Sequence, residues 1–218
     1  MLEHLPARAM FRFEFPIHHM AKSPLLDGDI AKWDDKYAAP RLYEIDDDAP
    51  FADVYWAWNE HGLIAAFHVY ERTGLPQCDT QHWWTKDGLR LCVDTRDARD
   101  IRRATRHCRF FYFLPTGGGP RKKSPVVGTH RMSRAKEAAP TIDLSLIKTG
   151  VYMDRHSYTM EVAIPAACLT GWDPAEHPRI GIFYKVKDMR LGSQNLTVTD
   201  DLGWNMDPST WATGVLTR

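Results

Sequence analysis

Apolar and polar residues alternate along several short stretches of the chain, a pattern typical of strands with one buried face. Val54, Trp56 and Trp58 fall on one face of the stretch 53–59, and the stretch 63–70 alternates in the same way after a turn at 60–62. These two stretches predict a β-hairpin. The same alternation predicts three more strands, at 89–93, 158–164 and 180–186, and a last short strand is predicted at 212–216.

The middle of the chain has a different pattern. Residues 110–114 are apolar at every position, which predicts a strand buried on both faces. The sequence 115–120 is rich in proline and glycine and predicts the end of this strand. We expect 115–140 to form a long basic connection, and a short helix is predicted only at 100–106.

Many short strands without a long helical period predict an all-β fold. We predict a two-sheet antiparallel β-sandwich of the immunoglobulin or jelly-roll kind, with a long basic loop as an insertion. The chain has 218 residues, of which 44% are hydrophobic, enough to build one core. Residues 1–23 are expected to be an N-terminal extension or the first edge strand, and residues 24–218 a single sandwich domain.

The formal net charge is zero, but the charges are unevenly distributed. Ten acidic residues stand against three basic ones between positions 26 and 60, and twelve basic residues stand against two acidic ones between 96 and 136. The two surfaces could simply neutralise each other. Binding of nucleic acid or another polyanion through 96–136 is an alternative function. It is not favoured, because the aromatic residues at 110–112 are predicted to be buried.

The cysteine pattern and the first residues of the chain carry no signal for several classes of protein. The four cysteines form no CxxC pair, so neither a structural zinc site nor a disulfide framework is indicated. The first 20 residues lack the apolar run of a secretory signal, and no segment is long enough to span a bilayer. We therefore expect a cytoplasmic location without a membrane partner, with secretion left open.

Six short motifs follow one another from residue 27 to the end of the chain. They are Asp27-Gly-Asp-Ile30 with Trp33, His68-Val-Tyr-Glu71, the run from Trp84 through Asp87 to Asp94, Tyr158-x-x-Glu161-x-x-Ile164-Pro165, the strand Gly181 to Asp188, and Trp204 to Trp211 with Gly214. In this order and spacing they resemble the family 9 carbohydrate-binding modules, a group close to the DOMON-type sandwiches.

The resemblance implies non-catalytic binding of a sugar clamped between two exposed tryptophans, Trp84 and Trp204, with Asp87, Arg90 and Lys185 as polar neighbours. Core packing is the alternative role for each indole. The family has an acid or an amide where this chain has Arg90 and Lys185, and basic side chains donate hydrogen bonds but accept none. We therefore hypothesise an anionic ligand, such as a uronic or sulfated sugar. Simple ion pairs of these two bases with Asp or Glu are the alternative.

The resemblance also implies a structural Ca²⁺ ion. Asp27, Asp29 and Glu71 lie in or near the matching motifs, and carboxylates on loops are suitable ligands for Ca²⁺. The alternative is that these acids are simply solvated.

Haem is a second cofactor that the DOMON resemblance brings in. Some DOMON-type sandwiches hold haem through Met and His axial ligands, and His68, Met153 and Met160 are strand residues that could serve here. Ordinary core packing is the alternative for all three.

The sequence shows no clear catalytic constellation. Asp94, Asp97 and Asp100 recur at every third position, but Arg96 and Arg99 lie between them, which favours ion pairing over glycosidase chemistry. Nucleophile, metalloprotease and phosphate-loop motifs are all missing. The chain is therefore expected to bind a ligand rather than to transform one.

Overall fold

A computed structural model describes residues 5–218, and this part of the chain contains eleven strands. In chain order they are β1 (Glu14–His19), β2 (Ala52–Asn59), β3 (Gly62–Val69), β4 (Gly88–Asp94), β5 (Cys108–Gly118), β6 (Ser124–Thr129), β7 (Lys148–Met153), β8 (Tyr158–Pro165), β9 (Arg179–Asp188), β10 (Gly192–Asn195) and β11 (Ala212–Thr217). The helical segments are 3-10 turns of three to five residues. The all-β prediction is confirmed.

The strands form one hydrogen-bonded path in the order β6-β5-β4-β9-β11-β1-β2-β3-β8-β7, and β10 pairs with β9. The path folds over so that its two halves pack face to face. Across the core, the rings of Trp56 on β2 and Tyr184 on β9 have centroids 6.3 Å apart. The Gln194 side chain on β10 accepts hydrogen bonds from the backbone of Phe51 and Ala52. The β-sandwich prediction is confirmed.

The first strand lies inside the sheet, between β11 and β2, and not at an edge. It pairs in parallel with both neighbours, whereas the other strand pairs are antiparallel. Phe15 and Ile17 alternate with more exposed residues and are buried in the core. The expected extension or edge strand at 1–23 thus supplies an interior strand, and residues 1–4 lie outside the described residues.

The hairpin predicted from the alternating pattern is formed by β2 and β3, which are joined at Glu60 and His61. The short strand predicted at 212–216 lies within β11, and the three other alternating stretches lie within β4, β8 and β9. In each of them the apolar face points into the core, as the period of two requires. None of the helical turns in the described part of the chain has the length or apolar character needed to cross a bilayer.

The segment after residue 114 differs from its prediction. Strand β5 does not end at Pro115 but continues to Gly118 and forms a hairpin with β6. A register shift between Leu114 and Gly118 interrupts the regular pairing there, so the sheet tolerates a proline that lacks an N–H group. The expected connection at 115–140 is therefore a hairpin followed by irregular chain from 130 to 143.

The short helix predicted at 100–106 does not form, and the segment consists of bends and turns. The Ala104 carbonyl accepts a hydrogen bond from the Lys136 backbone, and the Thr105 carbonyl accepts one from the Cys108 backbone. Ala104 is buried against the core. Contacts with the 130–143 chain thus replace the internal hydrogen bonds that a helix would need.

Candidate functional site

Three neighbouring strands present a row of polar side chains on the face of the sheet that is turned away from the core. The row consists of Lys185 on β9, Arg90 on β4 and Tyr112 on β5, which lie in register. Next to Tyr112, at the end of the row, lies Gly128 on β6. Because neighbours along a strand point to opposite faces, the residues before and after each of these point into the sandwich interior. The alternation therefore places a basic and aromatic row on the outer face of a buried sheet.

A pocket of about 480 Å³ lies over this row. Its lining combines aromatic rings, three cationic side chains, one carboxylate and one amide: Trp83, Trp84, Arg90, Phe110, His130, Lys185, Lys187, Asp200, Trp204 and Asn205. Four of the five ligand-binding residues predicted from the sequence meet in this pocket. The fifth, Asp87, does not line it.

Trp84 stands on a rigid aromatic base. It is 51% exposed and contacts Trp83 edge to face, with ring centroids 5.6 Å apart. Trp83 in turn stacks on Tyr112, with centroids 4.4 Å apart and an interplanar angle of 6°. A Cβ atom at Gly128 would lie 2.0 Å from Tyr112 Cζ, so only glycine leaves room for the tyrosine ring across β6. The stack holds Trp84 at the mouth of the pocket.

Trp204 is only 6% exposed, so the predicted clamp of two exposed indoles is wrong for this residue. Its ring stacks on Phe183, with centroids 4.8 Å apart and an interplanar angle of 16°. Phe110 packs against it as well, at 5.4 Å between centroids. Phe183 and Phe110 leave an apolar surface on the outer face of the sheet, and burying that surface is favourable. Trp204 covers it and forms part of the pocket wall.

Arg90 is buried, with 2% of its surface exposed, yet no carboxylate of residues 5–218 pairs with it. Its Nη1 group donates to the Gly88 carbonyl at 2.7 Å, and its Nη2 group donates to the Trp83 carbonyl at 2.9 Å. Burial lowers the pKa of Arg90 to about 10, which still leaves it charged at neutral pH. The ion pair considered for Arg90 does not form. The guanidinium instead fixes the turn that presents Trp84.

Lys185 does form the ion pair that was considered for it. Its buried ammonium donates to Asp200 Oδ1 at 2.6 Å, and the Trp204 indole donates to the same oxygen at 2.7 Å. Burial lowers the pKa of Lys185 in spite of this partner. Burial alone would raise the pKa of Asp200, but the bonds from Lys185 and Trp204 lower it overall. Asp200 is therefore an ionised acceptor at the edge of the pocket.

Asp87 has a structural role and not the predicted contact with a ligand. It is 2% exposed, and its Oδ2 accepts from Arg72 Nη2 at 2.6 Å. Arg72 also pairs with Asp188 at the end of β9, and Asp87 Oδ1 accepts from the Met189 backbone at 2.8 Å. This buried network joins the loop before β4 to the turn after β9. Both oxygens of Asp87 accept hydrogen bonds within this network, and Asp87 does not line the pocket.

Sequence reasoning missed several residues of the pocket. Lys187 was available from the pattern, because it follows Lys185 by two positions on the same face of β9, and its ammonium donates to the Trp84 carbonyl at 3.1 Å. Asp200 and Asn205 come from an irregular loop with no periodic signal. His130 follows β6, and burial lowers its pKa, so the imidazole is neutral at pH 7.

The motif around Asp27 packs onto a buried carboxylate. Glu161 on β8 is fully buried, and its Oε2 accepts from the backbone of Asp27 at 2.9 Å and of Gly28 at 2.7 Å. The Trp33 indole donates to its other oxygen at 2.9 Å. The Lys32 ammonium lies 2.5 Å from Asp27 Oδ1 and 3.2 Å from Glu161 Oε2. A lysine thus supplies the cation next to these two carboxylates.

These contacts do not fit the calcium ligands expected from the sequence. Asp27 Oδ1 is taken by Lys32, Asp29 Oδ1 accepts from the Ala31 backbone, and Glu71 lies in the turn after β3. No group of three or more His, Cys, Asp or Glu side chains between residues 5 and 218 is placed to hold a metal ion. These contacts speak against a calcium ion held by Asp27, Asp29 and Glu71, but they do not test it, and the calcium site stays a prediction.

We expect EDTA to leave the thermal midpoint of the wild-type chain unchanged, because Lys32 already balances the two carboxylates. The substitution Lys32→Ala should lower the midpoint, since Glu161 then stays buried without its cation. Added Ca²⁺ should restore part of the loss in this variant only. Thermal melts followed by circular dichroism measure both effects. A drop in the wild-type midpoint with EDTA, reversed by Ca²⁺, would establish a native calcium site instead.

The haem ligands predicted from the sequence do not face one another. Register pairs His68 with Thr159 and Phe67 with Met160, so His68 and Met160 point to opposite faces of the sheet. Met153 pairs with Tyr158 and shares the face of Met160. The His68 ring forms a hydrogen bond with the Thr159 hydroxyl, with 2.9 Å between Nδ1 and Oγ1. The predicted Met and His axial pair is therefore wrong.

Two of the three regularly spaced acids at the end of β4 and beyond it, Asp94 and Asp97, are held in local contacts. Asp94 accepts from the backbone of Arg96 and Ala98, and Asp97 pairs with Arg99 and accepts from Thr213. Burial raises the pKa of Asp97 despite these partners. Neither carboxylate lines the pocket beside Trp84.

Comparison with known proteins supports the fold assignment. No protein-family model matches the chain, and no curated protein sequence matches it. Two solved structures of a family 9 carbohydrate-binding module from Caldicellulosiruptor kristjanssonii do match, one in complex with cellotriose and one with glucose. The cellotriose complex has a TM-score of 0.61 at 14% identity, covering 95% of this chain and 94% of that one. The glucose complex has a TM-score of 0.60 at 13% identity, covering 93% and 95%. The chain has the fold of the family 9 carbohydrate-binding modules.

Proposed function

We propose that the chain binds a saccharide, without transforming it, in the pocket beside Trp84. The observation that carries the proposal is an exposed indole, fixed on the Trp83 and Tyr112 stack, next to a cluster of charged side chains. Sugars have apolar C–H faces that pack on indole rings, while their hydroxyls need directed hydrogen bonds. Two structures with the same fold were solved with cellotriose and with glucose, which supports the same ligand class here.

The pocket offers both kinds of partner that sugar hydroxyls require. Lys187 and Lys185 donate, the ionised Asp200 accepts, and the Asn205 amide does both. The two ammonium groups lie on β9, and the turn that carries Trp84 is held by Arg90 and by the Trp83 and Tyr112 stack, so their positions are largely set before binding. Such preorganisation lowers the entropic cost of association.

We further propose that the preferred saccharide carries an acidic group, such as a uronate or a sulfate. The lining contains three cationic side chains, Arg90, Lys185 and Lys187, against the single carboxylate of Asp200. Arg90 is buried, and its guanidinium donates to two backbone carbonyls but to no carboxylate, so its positive charge is only partly compensated. A carboxylate or sulfate on the ligand would supply the missing negative charge.

Isothermal titration calorimetry with matched pairs of neutral and acidic oligosaccharides tests both statements. We expect the acidic member of each pair to bind about tenfold more tightly or better, because a hydrogen bond to a charged group contributes about 1.5–3 kcal/mol. The preference should shrink as salt is added. Equal or tighter binding of the neutral member would contradict the acidic preference. No binding of any saccharide would contradict the proposed function itself.

A further inference from the structure

A second pocket, of about 730 Å³, is lined in part by the loop 200–207. Three residues of this loop line the first pocket, namely Asp200, Trp204 and Asn205. The other residues of the loop line the second pocket. The rest of the lining of the second pocket consists of Arg102, Arg103 and Arg134, and we call this second pocket the arginine pocket. One short loop thus contributes to both the proposed saccharide site and a cavity with three arginines and two aspartates in its lining.

The three arginines belong to the basic segment 96–136, and all three are exposed. None of them pairs with a carboxylate in the described part of the chain, which distinguishes them from Arg99 and Arg179. Arg103 Nε donates to the Arg134 carbonyl at 2.8 Å, which ties the 100–106 segment to the 130–143 chain. The structure thus gathers three guanidinium groups from two distant segments around one cavity.

We propose that the arginine pocket is a second subsite for acidic units of the same saccharide chain. This inference rests on the proposed function and extends it from a single sugar to a polymer. A guanidinium binds a carboxylate or sulfate through two parallel hydrogen bonds. The Asp201 carboxylate in the same lining accepts from sugar hydroxyls. The ligand is therefore an acidic oligosaccharide that crosses the loop 200–207 and contacts both pockets.

The chemistry of the lining favours an acidic saccharide over a nucleic acid. Asp201 and Asp207 line the same cavity and repel any anionic group, but a uronate unit also carries hydroxyls that hydrogen-bond to these carboxylates, which the phosphodiester of a nucleic acid does not. The nearby aromatic rings of β5 are not free for base stacking, because Phe110 is covered by Trp204 and Trp83. The formal net charge of zero provides no general attraction for a polyanion.

The test uses a length series of oligouronates, from the monosaccharide upward, titrated calorimetrically into three proteins. The first is the wild type, and the second carries Arg102→Gln, Arg103→Gln and Arg134→Gln together. The third is a control of equal charge change, with all three basic residues of the β5–β6 turn, at positions 121–123, replaced by Gln; all are exposed and outside both pockets. Thermal melts check that each variant is folded.

We expect the affinity of the wild type to rise with chain length, and the arginine-pocket variant to lose about tenfold or more for long chains only. Affinity for the monosaccharide should be unchanged in this variant, and the control should stay within about twofold of the wild type at all lengths. A single charge-assisted contact of 1.4 kcal/mol already corresponds to tenfold.

Each contrary result has a separate meaning. If the wild type binds oligouronates and the arginine-pocket variant binds long chains equally well, the second subsite is wrong and the proposed function stands. If the wild type binds no saccharide, the proposed function fails and the inference fails with it. If single-stranded DNA binds more tightly than the longest oligouronate at equal salt, and only the arginine-pocket variant loses it, the assignment to a saccharide is overturned.

Discussion

Replacing Arg72 with methionine is expected to lower the free energy of unfolding by about 3–5 kcal/mol at pH 7. Arg72 is 7% exposed and balances two buried carboxylates, Asp87 and Asp188, which are 2% and 3% exposed. The substitution keeps most of the side-chain volume but leaves both carboxylates without a cation. Removing one partner of a buried ion pair is strongly destabilising, because the remaining charge is neither solvated nor paired. Urea unfolding followed by fluorescence measures the loss.

The loss should shrink as the solution is acidified. Burial would raise the pKa of Asp188, but the bonds from Arg72 and two backbone amides lower it overall. A carboxyl whose folded pKa is lowered stabilises the fold above its ordinary pKa of 3.8, and this contribution is lost as the pH falls below that value. The control Arg121→Met removes an exposed arginine and should change stability by about 0.5 kcal/mol at most. A loss of similar size in both variants would contradict the role given to the network.

Replacing Trp84 with alanine is expected to weaken saccharide binding about tenfold to a hundredfold, equivalent to about 1.4–2.8 kcal/mol. Its indole is the large exposed aromatic surface in the pocket, and buried aromatic anchors dominate the energy of many binding sites. Because Trp84 is 51% exposed in the free protein, stability should change little. Calorimetric titration with the tightest ligand of the panel measures the effect.

The matched control for Trp84→Ala is Tyr152→Ala. Tyr152 is an aromatic residue of similar exposure, 57%, on β7 and outside the pocket. Its removal should leave affinity unchanged. Unchanged affinity in the Trp84 variant, or an equal loss in both variants, would show that the indole is not the platform for the ligand.

The alternation of apolar and polar residues was sufficient to predict most of the sheet. A period of two holds wherever one face of a strand is buried, and this is why β2, β3, β4, β8 and β9 were all located. The pattern could not predict that β1 enters the middle of the sheet, since its partners β11 and β2 lie far away in the sequence. It also could not reveal that the ladder passes Pro115, because a register shift depends on the partner strand.

The candidate site was predicted in part for the same reason. Trp84, Arg90 and Lys185 are next to or within regular strands, so their positions relative to one another follow from the fold. The burial of Trp204 depends on Phe183 and Phe110, whose outer face must be covered by something, and no local pattern shows by what. The local sequence also could not show that Asp87 is buried in an ion pair, because its partner Arg72 lies 15 residues earlier in the chain.

The most direct test of saccharide binding beside Trp84 is a titration followed by the indole N–H signals in a two-dimensional nitrogen–proton NMR spectrum. We expect the signals of Trp84 and Trp83 to move in a saturable manner as the acidic oligosaccharide is added. The signals of Trp33, which donates to Glu161, and of Trp56 in the core should stay in place. Saturable movement at Trp33 or Trp56 with Trp84 unmoved, or no movement at any indole, would contradict the account.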